Sequence, residues 1–237
     1  MSNGSGTGAI AAAPYAVTAG ELVAACRVAL ADEAAETWAD ATLLGFVAEA
    51  VREYSQHLPR RGETTIVTVA GQRRYALPAE ATAVVGVEYP TGMEPPAVLP
   101  RGRYKARTFA HRRAYDVVGT HDLTRPPVLL LSFEPAAGET LTVRYLCPHI
   151  MPAAADDYLT VPAEHHHVLL QYVLFAAARR QQAAEQAAPT NSSSLLMAQL
   201  ASNARRLELA YLNALNRILF QRLGEGEMVA WKVTRYE

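Results

Sequence analysis

The longest regular hydrophobic pattern in the chain runs from Ser192 to Arg222. Its apolar residues recur in steps of three and four, at Leu196, Leu200, Ala204, Leu207, Tyr211, Ala214, Leu215, Ile218 and Leu219. This spacing predicts one apolar face on an α-helix, which hydroxyls of residues 192–194 can cap and Gly224 can end. About 30 residues at 1.5 Å each give a rod of roughly 45 Å. We expect it to span a molecule of this size, as is typical of a subunit in an assembly.

Two shorter helices are predicted near the start of the chain. The first begins at Thr18, which forms a capping box with Glu21, and ends near residue 31. The second is predicted from Thr37, with Asp40 closing a similar box, to Leu58, which precedes a proline. Its apolar face consists of Leu43, Phe46, Val47, Ala50, Val51, Tyr54 and Leu58. We interpret Trp38, at its start, as a core anchor in preference to a binding residue.

Residues 61–149 instead show short β-branched and aliphatic runs separated by Gly and Pro. The strand-like runs are 64–69, 73–77, 82–89, 127–133 and 140–146. Ala70-Gly71-Gln72 predicts a hairpin between the first two runs. We therefore expect an antiparallel β-lobe of five to seven strands, whose edges a neighbouring subunit can cover.

Helical periodicity returns after the predicted lobe. Pro162, as the first helical residue, and Glu164 predict a third helix, and residues 187–191 turn the chain back into the long helix. The expected fold is α+β: an antiparallel helical bundle with an inserted small antiparallel β-lobe and an extended C-terminal tail. The expected divisions are a flexible arm (1–17), helical parts (18–61 and 158–223), the β-insertion (62–157) and a docking tail (224–237).

The composition of the chain limits the classes of protein to which it can belong. Half of the residues (50%) are hydrophobic and 19% are charged, which suits a packed core, and the net charge of −1 confines any nucleic-acid contact to a local surface. Cys26 and Cys147 each lie among apolar residues and are interpreted as reduced core residues. Residues 1–14 lack the pattern of a signal peptide, and no apolar run reaches the ~20 residues of a membrane span. We expect a protein assembled in the cytoplasm, without membrane contact.

One stretch within the predicted lobe is strongly basic. Residues 101–113 contain six cationic residues and no acid, with Tyr104 and Phe109 interleaved. The cations are Arg101, Arg103, Lys105, Arg107, Arg112 and Arg113. Clustered positive charge is what contact with phosphates requires. The alternatives are a solvated loop and a loop that meets an acidic surface of a partner.

Nothing in the sequence matches a known catalytic arrangement. Three consecutive histidines, His165 to His167, point about 100° apart on a helix and cannot chelate one metal ion together. They are interpreted as exposed residues at a helix start. Gly-rich phosphate loops, Gly-x-Ser-x-Gly and Cys-x-x-Cys are missing from the sequence. Asp156-Asp157 adjoin a helix start and are interpreted as capping or solvated residues, not as a paired acid and base. We expect no enzyme, no cofactor and no bound metal.

The order of segments nevertheless resembles a known family. Two helices, the second opened by Trp38-Ala-Asp40, precede a β-insertion. Asp157 and Val161-Pro162 then lead into a helix with a Tyr/Phe-rich middle, and a long helix carrying Ala204-Arg-Arg206 ends in an extended tail. Over residues 18–237 this resembles the head-to-tail adaptor (connector) proteins of tailed bacteriophages, including the tail-tubular adaptors of short-tailed phages.

The resemblance implies a virion structural protein of the neck. It implies a ring, expected to contain twelve copies, beneath the portal protein and above a tail, nozzle or head-completion protein, with packaged DNA passing through its lumen. The tail would dock on the portal through residues of its alternating strand pattern, Met228, Val229, Trp231, Val233 and Tyr236. The basic residues of 101–113 would face DNA or a partner.

Two physical considerations accompany this resemblance. A ring needs two different complementary faces on each subunit, which acidic residues 32–40 and basic pairs 179–180 or 205–206 could supply. Two alternatives stay open: a non-specific nucleic-acid-binding module using residues 101–113, and an enzyme with an unrecognised site.

Overall fold

The computed structural model describes residues 17–106, 109–119, 126–187 and 194–224. The chain separates into two compact units, one formed by the residues up to Leu58 and from His149 onward, the other by Pro59–Pro148. In the described ranges, the first unit contains four α-helices and the second contains small antiparallel sheets. This confirms the predicted α+β class. Within the described residues, no helix is both long and apolar enough to cross a membrane.

The first helix, α1 (Ala19–Leu30), begins as predicted. The Thr18 hydroxyl accepts from the Glu21 backbone N–H at 3.2 Å, and the Glu21 carboxylate accepts from the Thr18 N–H at 2.8 Å. This reciprocal pair satisfies two backbone donors that a helix start leaves without partners. The helix ends at Ala31, which adopts a left-handed conformation with φ 52°.

The second helix, α2 (Asp40–His57), begins three residues later than the Thr37 box predicted. Ala39 occupies the N-cap and provides no side-chain cap. The predicted box is wrong because its members bond elsewhere: the Thr37 N–H donates to the Asp32 carboxylate at 2.9 Å, and Asp40 binds Arg27. The predicted apolar face of α2 is buried, and Trp38 packs edge-on against Phe46 at 5.9 Å.

The other two helices are α3 (His166–Ala187) and α4 (Ser194–Gly224). Pro162 precedes a 3₁₀ turn at Ala163–His165 and is not the first residue of α3, so the predicted start was too early. α4 has 31 residues, and Ala204, Tyr211, Leu215 and Ile218 of its predicted apolar face are buried, whereas Leu196 is exposed. Tyr172 of α3 meets Tyr211 of α4 with ring centroids 5.2 Å apart. All four helices contribute to one apolar core.

The second unit contains six strands in the described residues: β1 (Arg60–Val67), β2 (Arg74–Ala76), β3 (Ala83–Glu88), β4 (Tyr115–Val118), β5 (Val128–Leu131) and β6 (Thr140–Cys147). They form two antiparallel sheets, with strand orders β1-β6-β3 and β2-β5-β4. Residues of both sheets share one core, including Tyr75, Val87, Leu129, Leu141 and Val143.

The predicted hairpin between β1 and β2 is wrong. β1 pairs with β6 along its whole length, from Arg60 opposite Cys147 to Val67 opposite Thr140, and β2 pairs with β5. Beyond β1, the Thr68 N–H still donates to the Glu139 carbonyl at 2.8 Å, and the Thr68 carbonyl accepts from the Gly138 N–H at 2.9 Å. The turn around Gly71, whose φ is +74°, therefore carries the chain from one sheet to the other.

Both cysteines are free and buried, as predicted. Burial raises the pKa of the Cys26 thiol to about 12, so this side chain stays protonated and behaves as a small apolar residue.

Candidate functional site

The basic segment, residues 101–113, lies between β3 and β4, and residues 107–108 are outside the described part of the chain. Its start is fixed to β4: the Gly102 N–H donates to the Tyr115 carbonyl at 2.8 Å, and the Tyr104 N–H donates to the Asp116 carboxylate at 2.8 Å. A side chain at position 102 would lie 2.7 Å from the buried Phe109 ring, so only glycine fits there. The segment is thus held at its base.

The charged side chains of this segment point to solvent. Arg101, Arg103, Lys105, Arg112 and Arg113 are exposed, and Arg107 lies outside the described residues. No ion pair joins these five cations to a carboxylate among residues 17–106, 109–119, 126–187 and 194–224. The Arg113 guanidinium lies 4.9 Å from the centroid of the Phe133 ring, which fixes its position and leaves its charge available.

Two further cations, Arg73 and Arg74, lie beside the basic segment but are distant from it in sequence. Arg73 and Arg74 line a groove with residues of the basic segment and of β5: Tyr104, Ala106, Phe109, Ala110, Leu130, Leu131 and Ser132. Arg73 is paired with Glu134 at 2.9 Å, and Arg74 is exposed. The two adjacent arginines are visible in the sequence. Their position beside the basic segment depends on the pairing of β2 with β5, which the local sequence pattern did not predict.

This arrangement suits an extended polyanion. We define the basic surface as Arg74, Arg101, Arg103, Lys105, Arg112 and Arg113. Tyr104, which is 51% exposed and packs edge-on against Phe109, adds an aromatic face beside these cations. Guanidinium and ammonium groups attract phosphates without regard to base sequence, and an exposed aromatic ring can stack on a base.

The acidic connector before α2, residues 32–40, is tied to α1 by an arginine, and its predicted role as a subunit face stays a prediction. Arg27 holds both of its aspartates: Nη1 lies 3.0 Å from Asp32, and Nη2 lies 2.5 Å from Asp40. Backbone N–H groups of Thr37 and Trp38 lower the pKa of Asp32. The connector is therefore fixed by bonds within the chain. Asp32 is buried, whereas the carboxylates of Glu33, Glu36 and Asp40 are exposed.

The histidine triplet is more buried than predicted. The Tyr54 hydroxyl lies 2.5 Å from Nδ1 of half-buried His165, and burial lowers the pKa of this imidazole. His166 is also half-buried, with Nε2 2.9 Å from the Val161 carbonyl, whereas His167 is exposed as expected. The burial of His165 could not be predicted from the sequence, because its partner Tyr54 lies 111 residues away. In the described part of the chain, no cluster of His, Cys, Asp or Glu is arranged to hold a metal ion.

The docking residues predicted in the tail, Met228, Val229, Trp231, Val233 and Tyr236, lie outside the described residues, and their role stays a prediction.

Comparison with known proteins supplies the identity of the chain. The sequence model of one protein family, described as SU10 adaptor protein, matches residues 17–222. This match covers both compact units and most of the chain. A search of the curated proteins finds no match. The chain therefore belongs to the SU10 adaptor protein family and is a structural adaptor component of a bacteriophage virion.

Proposed function

We propose that the protein is a head-to-tail adaptor, located in the virion neck, that forms a ring of twelve copies beneath the portal. The ring joins the DNA-filled head to the tail, and DNA passes through its lumen. The observation that carries this proposal is the family match, which extends over the helical unit and the β unit together. A ring subunit must bind its neighbours through its surface. The described residues include exposed apolar and cationic side chains that can form such contacts.

Three partners follow from this proposal. Another copy of the chain contacts the helical unit, and the portal binds residues 225–237. A tail or nozzle protein binds the opposite end of the ring. The alternating pattern of Val229, Trp231 and Val233 supports a strand that adds to the portal, because such a strand would offer one apolar side and free backbone groups.

The basic surface is proposed to face the packaged DNA. The chain as a whole carries a charge of −1, so a cluster of cations without carboxylate partners in the described residues is a local exception. In a ring of twelve copies this surface would repeat around the DNA and hold its phosphates without base recognition.

Replacing Arg103 and Lys105 together with Ala is expected to reduce the yield of DNA-filled particles severalfold and to leave the fold intact, since both side chains are exposed. DNA content would be measured in particles assembled with the variant. The control replaces Arg52, an exposed arginine of α2, with Ala and should leave DNA content unchanged. Normal DNA content and infectivity with the first variant would show that the basic segment is a solvated loop.

A second candidate function is favoured by the groove that combines Arg74 with Tyr104: a nucleic-acid-binding module that acts as a monomer. Such a module would bind DNA with salt-dependent affinity, and the same double substitution would reduce the slope of log K against log salt by about 2. The adaptor proposal expects weak binding by the monomer, because few phosphates contact one subunit. Tight monomer binding would favour the module.

A further inference from the structure

We propose that the outer face of α4 in one subunit packs against a second surface, around Tyr158, on the next copy of the chain. This inference rests on the proposed ring and identifies the two faces through which its subunits meet.

The first face is the exposed side of α4. Leu209, Leu212 and Phe220 are exposed by 47%, 42% and 69%. Their spacing places them along one side of the helix, away from Tyr211 and Leu215, which are buried in the core. Large apolar side chains aligned on a helix are typical of a surface that a partner covers.

Cations flank this apolar stripe. Arg205, Arg206 and Arg217 are exposed on α4. Arg205 pairs with Glu208 at 3.1 Å, and Arg206 bonds the neutral Asn203 at 3.0 Å. Three cations and one anion give the face a net positive charge.

The second face lies where the segment before α3 meets the start of α1. Ile150, Met151 and Tyr158 are exposed by 46%, 49% and 52%. The nearby carboxylates of Glu21 and Asp156 are also exposed, so this face is apolar and negative.

Backbone hydrogen bonds hold the second face in place. The Gly20 N–H donates to the Ala155 carbonyl at 2.7 Å, and the Ala19 N–H donates to the Asp157 carbonyl at 2.9 Å. The Asp157 carboxylate accepts from the N–H groups of Ala153 and Ala154. A surface fixed in this way loses little conformational entropy when a partner binds.

The two faces are complementary in charge to each other, and neither is complementary to a second copy of itself. A ring interface is heterologous, so each subunit must present two different complementary patches. One patch combines apolar side chains with positive charge, and the other combines them with negative charge. Pairing either patch with its own copy would bring like charges together, which favours head-to-tail association.

The test uses one variant for each face. Leu209→Asp with Leu212→Asp alters the first, and Met151→Asp with Tyr158→Asp alters the second. Each variant is expected to weaken self-association at least about 100-fold, since large apolar side chains dominate such interfaces. Native mass spectrometry should then find monomers of either variant and rings of the wild type. Circular dichroism checks that both variants keep their helices.

Mixing the variants gives the sharper result. The α4 variant keeps its Tyr158 surface, and the other variant keeps its α4 face. These two intact faces can pair once, so the mixture should form heterodimers and no larger species. The control Met93→Asp, which alters an exposed apolar residue in the loop after β3, should form rings. Rings from either variant, or a mixture without heterodimers, would overturn the pairing of faces and leave the proposed ring standing. A wild-type chain that stays monomeric even with the portal present would contradict the ring and the pairing together.

Discussion

Replacing Arg27 with Ala is expected to lower the free energy of unfolding by about 3 kcal/mol. The Arg27 guanidinium is largely buried and joins three parts of the connector between α1 and α2. It donates to the Asp32 carboxylate, to the Trp38 carbonyl at 2.8 Å and to the Asp40 carboxylate. Truncation leaves the buried Asp32 carboxylate without its guanidinium donor, which costs more than that bond itself contributes. The Asp40 carboxylate is exposed, so water can replace its lost bond.

Urea denaturation followed by circular dichroism would measure this effect. Arg27→Lys keeps the charge but cannot reach several acceptors at once, so it should lose an intermediate amount of stability. Arg52→Ala, at an exposed position of α2, is the matched control and should change the unfolding free energy by less than about 0.5 kcal/mol. An Arg27→Ala protein as stable as the wild type would show that the connector is held by other contacts.

Deleting residues 225–237 is expected to abolish attachment to the portal while leaving the helices intact. Gly224 and Gly226 separate this tail from the pattern of α4, and Val229, Trp231 and Val233 alternate with more polar residues. Trp and Tyr are frequent interface anchors because they remove a large area from water with little loss of rotamer entropy. Truncating Trp231 alone should weaken binding by about 2–4 kcal/mol, a typical loss at an interface hot spot.

Co-sedimentation of the protein with purified portal would measure attachment. The control Lys232→Ala with Thr234→Ala alters the other side of the proposed strand and should attach normally. Attachment of the truncated chain at wild-type levels would refute the docking role, as would a structure in which the tail pairs with a sheet of its own subunit.

The helices were largely predictable because their signals are local. The apolar face of α2 and the capping box at Thr18 depend on residues three or four apart, and both are present in the structure. The box at Thr37 failed because Asp32, outside the expected helix, takes the Thr37 N–H. A competing hydrogen bond of this kind leaves no mark on the periodicity.

Long-range pairing accounts for what the sequence did not predict. Local turn residues favoured a hairpin of β1 with β2, but β6, from the far end of the lobe, is a better partner for β1 over eight residues. The same limitation concealed Arg73 and Arg74, which reach the basic segment through the pairing of β2 with β5. The cations of residues 101–113 were recognisable from composition alone, since exposed charge needs no tertiary partner.

Cryo-electron microscopy of the full chain mixed with the portal of the same phage tests the adaptor proposal most directly. The expected result is a closed twelve-fold ring beneath the portal, with α4 of one subunit against the Tyr158 surface of the next. Density for residues 225–237 should lie on the portal, and the basic surface should face the lumen. Particles in which the chain stays monomeric, or forms no contact with the portal, would contradict it.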